Sequence, residues 1–274
     1  MANQLAVRWQ LFKRWLTFYR KAVTLRRVRH PFVLRLGKAL FEDSRWFYAF
    51  SDAAGLRDYI YQNHQLIPRS EFGAGSQVLT NEQIRVSALG KSAAVDEGNG
   101  QLLFRLVNFL KPTTLLEMGT CLGLSALYQA AAAQNARFLT IEGSPAIAEL
   151  ARGHLAGLKY QNIEPHKGSF DEVLPKLLPA LPKLDYVYLD GDHRHEPTLR
   201  YFETCLPYLD PGSAFVVADI YWSAEMMSAW EALQNHPKVT LTVDFYDFGI
   251  LFFRESDEPK QHFSLVPGPW KPWS

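Results

Sequence analysis

The chain has 274 residues, of which 47% are hydrophobic and 21% are charged, a composition that excludes intrinsic disorder and fibrous repeats and favours one large α/β domain with an appendage. Its two cysteines, Cys121 and Cys205, are far apart and lack the spacing of a disulfide framework or a zinc site. No apolar run approaches the ~18 residues that span a bilayer, and the N-terminus lacks the apolar segment of a signal peptide, so we expect a cytoplasmic location.

The first 41 residues carry an excess of positive charge that the whole chain does not show. The net charge of the chain is +1, whereas residues 1–41 contain ten Lys and Arg and neither Asp nor Glu. These cations alternate with apolar and aromatic residues, a pattern that predicts an amphipathic helix; those residues are Trp9, Leu11, Phe12, Trp15, Leu16, Phe18 and Tyr19. We expect its aromatic stripe to pack on its own domain or on a second copy of the chain, which would give a homodimer. A membrane surface and a nucleic acid are less favoured partners.

The chain is predicted to have three parts. Residues 1–93 form an N-terminal basic and aromatic helical extension, residues 94–256 form the main domain, and residues 257–274 form a tail that its prolines make irregular. Within the extension, residues 72–76 predict a connecting turn, with a mobile lid over a pocket as the alternative.

The main domain alternates between helix-like and strand-like segments, which is typical of a mostly parallel sheet. The strand-like segments are residues 114–118, 138–141, 162–166, 184–189, 214–218, 239–245 and 250–253. Helical patterns occur before or between these strand-like segments, at residues 102–110, 122–133, 145–158, 170–178, 196–206 and 224–233. The sequence therefore predicts an α/β fold: a seven-stranded, mostly parallel sheet with helices on both faces and a closing antiparallel hairpin, preceded by the helical extension.

The first predicted strand ends in an acidic residue, Glu117, and two glycines, Gly119 and Gly123, carry the turn into a helix. Glycines let a ligand approach the backbone closely, and the start of a helix offers N–H groups to a carboxylate or phosphate. The second strand ends at Glu142, 23 residues after Gly119, where such folds place the acid that binds ribose hydroxyls. A carboxylate that caps the helix at Ser144 is the alternative role for Glu142, but the two motifs together favour ribose binding.

The glycine spacing distinguishes this turn from that of dinucleotide dehydrogenases. Those enzymes carry G-x-G-x-x-G, whereas this chain has Gly119-x-x-x-Gly123 with Glu117 before it. The arrangement resembles motif I of class I S-adenosylmethionine-dependent methyltransferases and is similar to that of the catechol O-methyltransferase-like small-molecule enzymes. The resemblance covers about residues 94–254, and its other segments are Gly100-Gln101, Gly168-Ser169-Phe170, Leu189-Asp190-Gly191-Asp192-His193 and Ala218-Asp219.

This resemblance implies a Rossmann-like fold that binds S-adenosylmethionine and makes residues 94–256 the cofactor-binding domain. The residues that it implies at the cofactor are Glu117 and Gly119 for the methionine portion, Ser125 for the carboxylate, Glu142 for the ribose, Ser169 and Phe170 for the adenine, and Gly123 and Asp190 elsewhere at the site.

The resemblance also supplies candidates for catalysis. His193 stands where the catechol-type enzymes carry a catalytic lysine, and an imidazole can accept a proton from an acceptor hydroxyl; a surface histidine in a turn is the alternative. Asp190 is the second candidate catalytic residue. Asp190 and Asp219 also match two magnesium ligands of the metal-dependent members. Because the third ligand, usually an Asn, is replaced by Ile220, a bound Mg²⁺ is less favoured than a site in which Asp190 contacts cofactor or substrate.

The predicted function is S-adenosylmethionine-dependent methylation of a hydroxyl group on a small organic acceptor. The basic N-terminus motivates one alternative, an RNA or protein methyltransferase. Ile220 and the missing lysine motivate another, a non-catalytic protein that keeps the cofactor fold and uses the N-terminal helix for assembly.

Overall fold

A computed structural model describes residues 2–68, 83–255 and 259–271, with side chains from Trp9 onward. The predicted turn at residues 72–76 lies outside the described residues. The α-helices found in the described part are α1 (Ala2–Lys21), α2 (Pro31–Phe41), α3 (Tyr48–Gln62), α4 (Val86–Ala93), α5 (Glu97–Leu110), α6 (Leu124–Ala132), α7 (Pro145–Ala156), α8 (Phe170–Leu177), α9 (His195–Cys205) and α10 (Ala224–Asn235).

The strands agree closely with the sequence pattern in the main domain. The strands of the described residues are β1 (Leu66–Pro68), β2 (Gln83–Arg85), β3 (Thr114–Met118), β4 (Arg137–Glu142), β5 (Ile163–Lys167), β6 (Leu184–Leu189), β7 (Leu209–Ala218), β8 (Leu241–Asp244), β9 (Phe248–Phe252) and β10 (Gln261–Ser264). β1 and β2 form a separate antiparallel pair. The alternation of helices with the strands from β3 onward confirms the predicted Rossmann-like α/β class.

The chain divides into two compact units, one formed by residues 43–192 and the other by residues 1–42 together with 193–274. In the first unit four parallel strands run in the order β6-β3-β4-β5. β3 is buried at every position, as expected for a central parallel strand with both faces covered. Met118 pairs with Ile141 on one side and Leu189 on the other, so the carboxyl ends of β4, β3 and β6 lie level.

The second unit contains the order β10-β8-β9-β7. β9 is antiparallel to both of its neighbours, which confirms the predicted closing hairpin. The predicted irregular tail is wrong in one part, because residues 261–264 form strand β10, parallel to β8. The backbone N–H of Leu265 extends this pairing by donating to the carbonyl of Asp244 at 2.8 Å. The two orders β6-β3-β4-β5 and β10-β8-β9-β7 together contain eight strands, one more than the seven expected.

The N-terminal segment belongs to the second unit and contributes to its core. Phe18 of α1 is fully buried, with its ring centroid 5.7 Å from that of Tyr221 and 5.4 Å from that of Tyr246. The expected packing on its own domain therefore holds for this part of the helix. Trp9 and Phe12 instead remain 57% and 47% exposed. Among the helices of the described residues, we find none with both the length and the apolar character needed to cross a bilayer.

Candidate functional site

The turn after β3 is built around two glycines with left-handed backbone angles. Gly119 has a φ of +110°, and a Cβ atom at this position would overlap the carbonyl oxygen of Asp190. Its N–H donates to the carbonyl of Ile141 at 2.9 Å, which ties the turn to the end of β4. Gly123, with a φ of +89°, is the N-cap residue of α6. Position 119 therefore requires a glycine. The turn also places the N-terminus of α6 at the carboxyl edge of the strands.

Glu117 lies beneath this turn and has no solvent exposure. Its carboxylate accepts hydrogen bonds from Gln129 Nε2 at 2.8 Å and from Thr140 Oγ1 at 2.5 Å. Ser125 hydrogen-bonds the same carboxylate, so the hydroxyl predicted to bind the cofactor carboxylate also supports Glu117. Burial raises the pKa of Glu117 to about 7, although these hydrogen bonds oppose the shift. Glu117 therefore connects β3 to α6 and β4 through buried hydrogen bonds.

Glu142 ends β4 and is held by backbone N–H groups from two loops. The N–H of Cys121 donates to its Oε2 and the N–H of Ser144 to its Oε1, each at 2.9 Å. Burial raises the pKa of this carboxyl, and the backbone hydrogen bonds lower it. The predicted capping contact with Ser144 and the position at the strand end are thus both present, and the carboxylate is fixed in one orientation.

Ser169 and Phe170 follow β5 at the same edge of the first unit. Ser169 is the N-cap of α8 and forms a capping box, in which its Oγ accepts from the N–H of Glu172 and the Glu172 side chain accepts from the N–H of Ser169. The ring of Phe170 packs against Gly191, where an added Cβ would lie 2.9 Å from the ring. Phe170 therefore lies beside the loop after β6, whereas the Ser169 hydroxyl is occupied in the helix cap.

Asp190 follows β6, and its N–H donates to the carbonyl of Met118 at 2.8 Å. The hydroxyl of Tyr188 donates to Asp190 Oδ2 at 3.0 Å. The eight predicted cofactor residues thus lie in the last residues of β3 and β4 or in the turns and helix starts that follow β3, β5 and β6, all within one unit.

His193 and Asp219 both lie in the other unit and are close to each other. His193 Nε2 is 3.5 Å from Asp219 Oδ2. Asp219 has a left-handed φ of +55°, and its N–H donates to the carbonyl of Asp247 at 2.6 Å. The strained backbone holds the Asp219 carboxylate beside the imidazole. The chain thus provides a proton acceptor and a neighbouring negative charge.

Ile220, the residue in place of the expected third metal ligand, is fully buried. It is apolar and supplies no oxygen to a cation. Asp190 and Asp219 belong to different units, so their pairing around a metal ion stays a prediction.

The buried polar network around Glu117 was not predicted from the sequence. Gln129 is a polar residue that precedes three alanines in the buried helix α6, and Thr140 lies in the middle of a strand. A polar residue at a core position is a signal for such a network, because a buried polar group requires a partner. Which partner it meets depends on how α6 and β4 pack on β3.

Comparison with known proteins agrees with this arrangement. The profile of a family described as a methyltransferase domain matches residues 116–220. A catechol O-methyltransferase of Niastella koreensis is 30% identical over 130 residues, which are 46% of this chain and 57% of that protein. The chain spans about half the length of the first curated relatives that it matches.

A longer match exists to the transmembrane O-methyltransferase of Propithecus coquereli, which is 32% identical over 211 residues and 74% of each chain. The crystal structure of the O-methyltransferase TomG from Streptomyces achromogenes, in complex with SAM, has a TM-score of 0.56 at 23% identity and covers 77% of this chain and 92% of TomG. This structural similarity supports the fold. Together with the sequence matches, it shows that the chain belongs to the class I S-adenosylmethionine-dependent O-methyltransferase family.

Proposed function

We propose that the protein transfers the methyl group of S-adenosylmethionine to a hydroxyl oxygen of a small organic acceptor. The observation that carries this proposal is the convergence of Gly119, Glu142 and Asp190 at the level ends of β3, β4 and β6 in one unit. A cationic sulfonium with a carboxylate tail and two ribose hydroxyls calls for acidic side chains and a helix N-terminus in one place. This edge supplies both.

The residues present fit the groups of this cofactor. Glu142 accepts backbone N–H groups at both of its carboxylate oxygens and retains acceptor capacity for ribose hydroxyls. The N-terminus of α6 would receive the cofactor carboxylate, and the ring of Phe170 would contact the adenine. Gly119 would allow the cofactor to lie close to the backbone.

S-adenosylmethionine, when bound, supplies an electrophilic methyl group on a positively charged sulfur. His193 would take the proton of the acceptor hydroxyl as the oxygen gains the methyl group. Asp219, 3.5 Å from His193 Nε2, would stabilise the positive charge that forms on the ring. The remaining contribution of the chain is to align the acceptor oxygen and exclude water.

Magnesium is not required by this mechanism. A metal at Asp190 and Asp219 is the less favoured alternative because Ile220 offers no donor oxygen. Activity that survives treatment with EDTA supports the metal-free mechanism, and activity that EDTA abolishes and Mg²⁺ restores contradicts it.

A cytoplasmic location also stays a prediction.

Calorimetric titration with S-adenosylmethionine and S-adenosylhomocysteine tests the cofactor site. Glu142→Ala should weaken binding by about tenfold or more, since hydrogen bonds to a charged group are lost. Glu149→Ala is the matched control, because Glu149 is an exposed carboxylate on α7 that pairs with Arg152, and binding should not change. Absence of binding in the wild-type protein would overturn the proposed function.

Transfer of a labelled methyl group to a panel of phenols and catechols tests the reaction. His193→Ala should lower kcat by about a hundredfold with an unchanged cofactor Kd, whereas His195→Ala, at the start of α9, should have little effect. Transfer only to RNA or protein would support the polymer alternative. Cofactor binding without transfer to any acceptor would support the non-catalytic alternative.

A further inference from the structure

Four aromatic side chains of α1 form a continuous stacked row on one side of the helix. Its members, which we call the aromatic ladder, are Trp9, Phe12, Trp15 and Tyr19. Neighbouring ring centroids are 5.7, 6.0 and 4.8 Å apart, and interplanar angles are between 21° and 24°. The spacing of three or four residues places the rings along one helix face. The first two rings of the ladder, at 57% and 47% exposure, are available to a partner.

The helix that carries the ladder is held on its own unit by several contacts. Phe18 of the same helix is fully buried, and the Tyr19 hydroxyl donates to the carbonyl of Trp270 at 2.6 Å. Lys271 Nζ donates to the carbonyls of Tyr19 and Ala22, and Trp270 itself is 52% exposed. The Tyr246 hydroxyl also donates to the carbonyl of Leu11 at 3.4 Å, so α1 is held on its unit while the rings of Trp9 and Phe12 stay exposed.

Positive charge surrounds the ladder. Lys13 and Arg20 are exposed on α1, and Lys13 Nζ lies 5.4 Å from the centre of the Trp9 ring. Residues 1–41 contain no acidic residue that could neutralise these cations locally. Exposed tryptophan and phenylalanine rings beside lysine and arginine are the composition of helices that lie in the interface of anionic membranes.

We infer that the aromatic ladder docks on a membrane surface that contains anionic phospholipids, with α1 parallel to the membrane plane. The rings would enter the boundary between headgroups and acyl chains, and Lys13 and Arg20 would contact lipid phosphates. This inference does not depend on the proposed methyl transfer.

Charge and ring geometry favour a membrane over the other occupants of this surface. Two copies meeting through α1 would bring together two helices that each contain five Lys and Arg residues and no Asp or Glu, which is electrostatically unfavourable. Nucleic-acid bases bind by stacking on free ring faces. Phe12 already has Trp9 stacked on one side and Trp15 on the other, so its edges rather than its faces are available.

Flotation of the full chain with vesicles of phosphatidylcholine, alone or mixed with phosphatidylglycerol, tests the inference. The chain should float with the mixed vesicles and not with phosphatidylcholine alone. The double variant W9S/F12S should bind about tenfold more weakly, because the exposed apolar rings are lost. K13E/R20E should also lose about tenfold or more, since each cation near an anionic surface contributes to binding.

Trp222→Ser is the matched control. Trp222 is 51% exposed in the same unit, and its backbone carbonyl accepts from Arg14 of α1, but its ring is not a member of the aromatic ladder. This variant should bind vesicles like the wild type. Melting temperatures of all variants check that the fold is retained.

Three results would overturn the inference. The first is an absence of binding to the mixed vesicles, and the second is binding that W9S/F12S does not weaken. The third is a wild type that does not bind vesicles but forms dimers or binds oligonucleotides, together with a W9S/F12S variant that has lost that property. This result would assign the ladder to a second copy or to a nucleic acid.

Discussion

Glu117 combines complete burial with an ionisable side chain, and this gives it an effect on stability that depends on pH. Burial raises its pKa from 4.5 to about 7 in the folded protein. The folded state therefore holds this proton more tightly than the unfolded state does. The contribution to stability is fully present below pH 4.5, decreases as the pH rises and is lost above about pH 7.

Glu117→Gln removes this titration while keeping a polar group for Gln129 and Thr140 to contact. We expect the free energy of unfolding of the wild type to fall more steeply between pH 4.5 and about 7 than that of the variant. Urea denaturation at several pH values measures the difference between the two slopes. Parallel pH profiles would show that Glu117 has the same pKa in both states.

Gly119 is the second position at which a single side-chain atom should have a large effect. Gly119→Ala would force a Cβ into the carbonyl oxygen of Asp190 at a φ of +110°, and we expect a loss of about 1–3 kcal/mol of stability with weakened cofactor binding. Gly153→Ala, in α7 with open space around the position, should instead stabilise by about 0.5–1 kcal/mol. Urea denaturation of the two variants measures both effects, and a stable Gly119→Ala protein would contradict the assigned geometry.

At the scale of elements, α8 shows how a pattern can support two interpretations. Residues 169–172 read Ser-Phe-Asp-Glu, which fits the capping-box pattern as well as the family segment. The structure contains the capping box. Contact of Ser169 with the adenine stays a prediction, and the cap is the role for which the geometry gives direct support.

Ser169→Ala separates these two roles. Loss of the cap should reduce stability by about 1 kcal/mol, measured by urea denaturation. If the hydroxyl acts only as a cap, the Kd for S-adenosylhomocysteine should be unchanged at a temperature well below unfolding. Ser144→Ala, at the N-cap of α7, is the control for the effect of losing a helix cap next to the site. A weaker Kd in Ser169→Ala alone would support the adenine contact.

The strands that could be predicted are those whose pattern is local. β3, β6 and the hairpin consist of buried apolar runs between turn residues, and these runs show in the sequence. β10 was missed because it has four residues in a proline-rich tail and forms only by pairing with β8, about 20 residues away. β1 and β2 have three residues each and depend on one another in the same way.

The residues of the site likewise differ in whether a local sequence pattern or contacts between distant residues determine their positions. The positions of Gly119 and Glu142 follow from spacing along the chain, so the sequence predicts them. The approach of His193 to Asp219 depends on the left-handed backbone at Asp219, and the network around Glu117 depends on helix packing. Neither leaves a periodic signal in the sequence.

At the scale of the whole molecule, the N-terminal segment contributes buried side chains to the core of its unit. Phe18→Ala should cost about 3–5 kcal/mol, because it leaves a cavity beside the rings of Tyr221 and Tyr246. Phe12→Ala, at a half-exposed position on the same helix, should cost less than about 1 kcal/mol. Urea denaturation of both variants makes the comparison. Equal effects would show that α1 does not pack on this unit.

Because one unit joins residues 1–42 to residues 193–274, its order of assembly during synthesis is constrained. Phe32 is made early, yet Phe252, whose ring centroid lies 5.0 Å away, is made 220 residues later. At the pace of a ribosome this interval is roughly 10–40 s. For that time α1 and α2 expose apolar rings with no finished core to receive them, while residues 43–192 have already been made. A nascent chain of this protein is therefore expected to need a chaperone, or a surface, at its N-terminus until its last strands emerge.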